Sequence, residues 1–326
     1  STQGYSSAAS DVYKRQVQCN TTCDGSLMGN GIEARSFKIP TFQLAVPIRH
    51  RQESVQEYAA EEVVNAIHFI EEQTGEKFDW DAFFKSMKRF NAETEEFLEW
   101  MEISKTDYPQ VMGVTLALYR YGVYQAAGGR NQAFLDMDKK LTKMALDAYK
   151  SKEMAAKEYR HRAMTWGVQA AYYTALPIWL LNCWGVVTIA DMLSMVSTEM
   201  VNTEDKHQAM LDLAYLYENM IMRNRSNGGY ETGVEALWRF CEMFNIDIVI
   251  MYVHMGCKSM SGYHGLFEEE ARKHGIHLIW VTHNLMCPED GTRRDMRTEI
   301  NRYMRTVFRE EPLDPSLEDF DDSKSW

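Results

Sequence analysis

IDIVIMYVHMGCK, residues 246–258, decides the fold. Ile246 to Val253 is an apolar run with one charge near its start, Asp247, and it reads as a strand buried on both faces. His254-Met-Gly-Cys257-Lys258 ends that run and leads into a helical pattern over about 260–274. A second apolar strand, Ile276–Val281, and a helix from Arg293 to Phe308 follow. Upstream, His161–Trp166 and Gly185–Ala190 read as strands. Glu204–Arg223 is an amphipathic helix, and Ser226-Asn-Gly-Gly229 opens another that runs to Phe244. Strands alternating with helices imply a parallel sheet with crossover helices.

VQCNTTCD, residues 17–24, repeats the plan in brief. A strand at Val17–Cys19 leads to Cys23, a helix over about 24–36, and a strand at Thr41–Val46 between Pro40 and Pro47. The expected fold class is therefore α/β. It has two Rossmann-like (flavodoxin-like) parallel-sheet lobes, the first incomplete, with a helical insert between them. Residues 17–52 are the remnant of the N-terminal lobe, 53–155 the helical segment and 156–310 the C-terminal lobe. In the helical segment Val55, Tyr58, Ala59, Val63, Ile67 and Ile70 share one face, and Gly75 ends that helix. Asp79 caps the next helix, which carries Trp80 to Met101 at helical spacing; a third runs from Gln110 to Ala127 and a fourth carries Phe134 to Leu146. These stripes are core packing. Residues 1–16 read as a non-native leader, with the natural chain beginning further upstream, and the acidic tail 311–326 reads as either an irregular segment or a docking strap.

Composition narrows the function. In 326 residues, 45% hydrophobic and 25% charged, a sizeable core is expected. A net charge of −12 argues against a nucleic-acid surface, which needs clustered cations. No apolar run is long enough to span a bilayer. The six cysteines, Cys19, Cys23, Cys183, Cys241, Cys257 and Cys287, are scattered as reduced cytoplasmic thiols are, with metal or redox use favoured over disulfides.

Cys23 and Cys257 are the site candidates, because each stands where a strand ends and a helix begins. Ligands bind at that edge of open α/β sheets, and a helix N-terminus favours thiolate, the metal-ligating form. The duller alternative is that both are buried small hydrophobes. Cys19 and Cys287 are alternates, while Cys183 and Cys241 fall in helix-like segments as packing residues. His254 and His283 end strands at the same edge and are candidates to donate to a sulfide or substrate oxygen or to act as an acid or base, the duller alternative being a structural role. Lys258 and Ser259 would set charge and donors beside Cys257. Arg293, Arg294 and Arg297 are either a phosphate-binding cluster or an ion-paired helix face. The 226–229 turn lacks P-loop spacing.

Taken in order, Cys23-Asp24 after a short strand, the helical insert, Val253-His-Met-Gly-Cys257-Lys258, and the closing helix with Arg294-Asp-Met-Arg-Thr298 resemble the 2-hydroxyacyl-CoA dehydratase family, which includes benzoyl-CoA reductase subunits. The resemblance covers about residues 17–310. It implies a [4Fe–4S] cluster held by three cysteines, of which Cys23 and Cys257 match the middle and last, the first lying upstream of residue 17. It implies a heterodimer with a related second subunit and a separate ATP-dependent iron–sulfur activator protein that injects one electron. It also implies an acyl-CoA substrate. The chemistry needs such help: the β-hydrogen of a 2-hydroxyacyl-CoA is not acidic, and the carbonyl does not assist loss of the α-hydroxyl. One electron makes a ketyl radical anion that expels the hydroxyl and acidifies that hydrogen. An aromatic reductase of the benzoyl-CoA type, a non-catalytic partner subunit without a cluster, a metal-free binding module, and a flavin in the complex all stay open, as does the catalytic base.

Overall fold

The computed structural model describes residues 15–19, 24–45, 47, 53–110, 131–154, 158–193, 199–219 and 230–320. The chain divides into two compact units, one of residues 1–91 with 197–232 and one of 92–196 with 233–326.

In the first unit, β1 (Gln16–Cys19), α1 (Asp24–Phe37) and β2 (Thr41–Leu44) form one β–α–β step. The strands pair in parallel with Gln16 opposite Thr41 and Cys19 opposite Leu44. α2 (Glu53–Thr74) ends at Gly75, whose φ of 75° is the left-handed conformation expected of a terminating glycine. α3 (Trp80–Ser104) opens where the Ala82 N–H donates to Asp79 Oδ1 at 2.9 Å, the cap expected there. α6 (Lys206–Glu218) is capped in the same way by Asp205, which accepts from the Gln208 N–H at 2.7 Å. Ala59, Ala60, Ala209 and Ala214 are buried together where α2 meets α6. Trp80, Phe83, Phe84, Met87 and Phe90 close that cluster, as the helical stripe predicts. Asn91 secures the chain before α6, donating to Val201 O at 2.8 Å and accepting from its N–H at 2.9 Å.

The second unit holds α4 (Gln132–Lys150), β3 (His161–Trp166), α5 (Leu176–Trp184), β4 (Val186–Asp191), α7 (Tyr230–Phe244), β5 (Ile248–His254), α8 (Lys258–His274), β6 (His277–His283) and α9 (Arg293–Tyr303). Its sheet is wholly parallel in the order β4-β3-β5-β6. Taken in chain order that is 2-1-3-4, a doubly wound arrangement whose direction of winding reverses between β3 and β5. Helices cover both faces. α5 and α9 pack on Ile248, Ile250, Tyr252, Ile279 and Val281. α8 packs on the other face, its His264 and Phe267 rings lying 4.0 and 6.5 Å from that of Trp280. Arg162 at the start of β3 donates to the carbonyls of Ser104, Thr106 and Phe244 at 2.8, 2.9 and 2.9 Å. One cation thus satisfies the trailing carbonyls of α3 and α7, where the helix dipole favours positive charge.

Several boundaries differ from the sequence reading. Gly185 is not in a strand: its φ of 71° caps α5, and an added Cβ would lie 2.9 Å from Leu313 Cδ1. The last helix changes to a π-turn at Met304–Phe308 before Arg309, at φ 58°, ends it. α8 begins at Lys258, two residues early, so Cys257 is its N-cap. Residues 111–127 of the expected third helix and the turn at 226–229 fall outside the described residues.

Residues 310–320 do form a strap over the second unit. Leu313 N–H donates to Cys183 O at 2.7 Å, Trp179 Nε1 to Leu317 O at 2.8 Å and Arg297 to Phe320 O at 2.7 Å. Arg305 grips Glu318 through two bonds of 2.6 and 2.7 Å and Glu311 at 2.9 Å. Where β3 begins, His161 lies between Asp247 at 2.6 Å and Glu310 at 3.0 Å.

Candidate functional site

The winding of the sheet makes the carboxyl ends of β3 and β5 the expected binding edge of the second unit. Gly167 ends β3 there. Its φ is 99°, and an added Cβ would meet Tyr252 O at 2.3 Å, so the two strand ends approach as closely as they do only because residue 167 has no side chain.

His254 and His283 close β5 and β6 as register partners, as expected, with ring centroids 6.1 Å apart. Beyond them the Met255 N–H donates to His283 O at 3.0 Å. The chain then turns tightly: the Gly256 N–H donates to His254 Nδ1 at 2.8 Å, and the Cys257 N–H donates to His254 O at 2.8 Å. The His254 ring thus faces the main chain through Nδ1. This turn delivers Cys257 to the N-cap of α8 in extended conformation (φ −87°, ψ 98°), half-buried, with its thiol making no capping bond. The first amides of a helix have no intrahelical acceptor, and the dipole there favours thiolate. Ser259 Oγ is enclosed beside it without a hydrogen-bond partner among the described residues, and Lys258 is exposed.

His283 is fully buried, with its ring edge-on to Tyr252 at 5.7 Å and neither ring nitrogen in a hydrogen bond of good geometry among the described residues. Burial holds its pKa below the usual histidine value; the neighbouring backbone of Asn284 and Val168 works against that shift. The chain after β3 and the chain after β6 are zipped together over this edge. Ala171 N–H donates to Leu285 O at 3.0 Å, Tyr172 Oη to Gly291 O, and Arg293 Nε to Tyr172 O at 3.1 Å.

The other candidates separate on chemistry. Cys287 Sγ donates to Glu289 Oε2 at 3.0 Å, and that carboxylate pushes its thiol pKa up. Burial pushes the thiols of Cys183 and Cys241 up to about 12, which agrees with packing roles. Cys19 ends β1, half-buried, with its carbonyl accepting from Asn30 at 3.2 Å. Cys23 lies outside the described residues. The three arginines do not form one basic face: Arg294 is exposed, whereas Arg297 is buried and donates to Tyr173 Oη at 2.9 Å beneath the strap. Gly167 and the Tyr172–Tyr173 pair escaped the sequence reading, which holds no signal for a glycine pressed on a neighbouring strand.

Among the described residues no three His, Cys, Asp or Glu side chains converge as a metal-binding group. The donor at this edge still fits an iron–sulfur ligand in kind: a half-buried soft thiol at the positive end of a helix, beside an unpartnered hydroxyl. The family described as 2-hydroxyglutaryl-CoA dehydratase, D-component, matches residues 8–303. No curated protein matches the chain.

Proposed function

The chain belongs to the 2-hydroxyglutaryl-CoA dehydratase D-component family, and from that premise we propose that it is a subunit of an iron–sulfur enzyme that removes water from a 2-hydroxyacyl-CoA. Membership makes it a dehydratase component; the acyl group, the cluster and the radical route are the proposed part. Cys257, with Cys23, would hold a [4Fe–4S] cluster. When bound, the cluster supplies the single electron that lets the thioester lose its α-hydroxyl through a ketyl radical, after ATP-driven activation by a partner protein.

The chain's own residues hold and shield. The 254–257 turn presents the Cys257 thiol at a helix N-terminus. Ser259 and Lys258 bring a donor and a positive charge to the same end, which suits an anionic group. The loops after β3 and β6 are tied together beside the strand ends, and His254 holds the turn at that edge. The first lobe would repeat the same Rossmann-like plan, with β1–α1–β2 as its remnant. A related second subunit completes the enzyme, and its reduced thiols suit a cytoplasmic setting. No helix among the described residues is long and apolar enough to cross a membrane.

The observation that supports this reading most is Cys257 as the N-cap of α8 at the ligand-binding edge of the sheet. Iron and sulfide, measured anaerobically on the purified complex, should fall in Cys257→Ser and Cys23→Ser. The complex should dehydrate an aliphatic 2-hydroxyacyl-CoA. Parent protein without iron, or turnover of an aromatic thioester alone, would overturn the proposal.

A further inference from the structure

We propose that His254 is a positioning residue: its imidazole substitutes for an asparagine side chain in closing the turn that aims Cys257. Two bonds carry the inference. The Gly256 N–H donates to His254 Nδ1 at 2.8 Å, a side-chain acceptor two residues ahead of its donor, the geometry of an Asx-turn. The Cys257 N–H donates to His254 O at 2.8 Å, closing the same turn through the main chain. The ring also fills the space over Gly256, where an added Cβ would lie 3.1 Å from Cε1 and 3.3 Å from Nδ1. Its partner across the strands is equally fixed, because the Met255 N–H reaches His283 O at 3.0 Å. One residue therefore sets both the start of the turn and the direction in which the chain enters α8.

Only the purpose of this device rests on Cys257 being a cluster ligand; its geometry does not. Asparagine places Oδ1 where histidine places Nδ1, so His254→Asn preserves the ring of bonds. Alanine has no acceptor, and glutamine is one bond too long to close the same ring. The probe is iodoacetamide, applied to the full chain stripped of metal by a chelator, with Cys257 labelling resolved by peptide mass spectrometry. His254→Ala and His254→Gln should change the Cys257 labelling rate about fivefold, the population change carried by one net hydrogen bond. His254→Asn should stay within about twofold of the parent, with one cooperative denaturation transition in each variant marking it as folded. An unchanged rate in the alanine variant, or an asparagine variant as perturbed as alanine, overturns the proposal. Iron content of the same variants before chelation separates the two ideas. Altered labelling with no iron in the parent leaves the positioning role standing and removes Cys257 as a cluster ligand.

Discussion

Gly167→Ala should be among the most damaging single-methyl additions in the second unit. The new Cβ would lie 2.3 Å from Tyr252 O, well inside any tolerated contact, and the obstacle is backbone in a buried strand. It cannot swing aside as the tip of a side chain can. Holding alanine at a φ of 99° adds about 1–3 kcal/mol of strain. Forcing the strand to yield adds about 1–3 kcal/mol of overpacking. The total, about 4 kcal/mol, is a large part of the about 5–15 kcal/mol that holds an ordinary domain folded. Gly275→Ala is the matched control: its φ is also positive, 68°, but nothing lies within 4 Å of the added methyl. It should lose only about 1 kcal/mol, from backbone strain. Urea denaturation of both variants measures the difference directly. If Gly167→Ala loses no more than Gly275→Ala, the close approach of β3 to β5 is not what the glycine serves.

Arg162→Met strips three carbonyls of a charged donor and should cost about 2–4 kcal/mol by chemical denaturation, with Arg162→Lys recovering little because one ammonium cannot reach all three. Asn91→Ala should cost the first unit about 2 kcal/mol through its paired bonds to Val201, and a change below about 0.5 kcal/mol would count against that role. The pKa of His161 is raised, first by the hydrogen bond to Asp247 and then by that to Glu310, with burial opposing. Its folded value thus exceeds its unfolded one. The stability it adds is complete below about pH 6.5 and is lost as pH rises through the raised folded value, so parent and His161→Gln should converge in denaturation midpoint as pH rises. Divergence with rising pH would refute the assignment.

Much of this architecture is legible in the sequence because local signals and tertiary demands agree. β5 and β6 are apolar enough to be buried on both faces, Asp79 stands one residue before α3, and Gly75 stands one residue after α2. Cys257 at a strand–helix junction is readable for the same reason. α5 left only a helix-like trace, since a helix that is apolar all round has no polar face to mark its period. Gly185 is misread because nothing local separates a helix-ending glycine from the first residue of a strand. Strand order depends on contacts between segments far apart in the chain, as does the burial of Arg297. The His254–Gly256 bond is hidden for a different reason: histidine is not among the residues whose side chains usually mark such turns.

The strap has a consequence for the order of assembly. Residues 310–320 meet groups made long before them: the Cys183 carbonyl, the Trp179 indole and the His161 ring. As a nascent chain folds from its N-terminal side, β3 and α5 emerge with these positions vacant and must wait through more than a hundred residues of synthesis. Until Leu313 and Leu317 arrive, α5 shows the solvent an apolar flank, the surface on which a half-made molecule would stick to its neighbours. A chain released before this stretch is made should therefore aggregate, whereas one released with the stretch complete should be sealed.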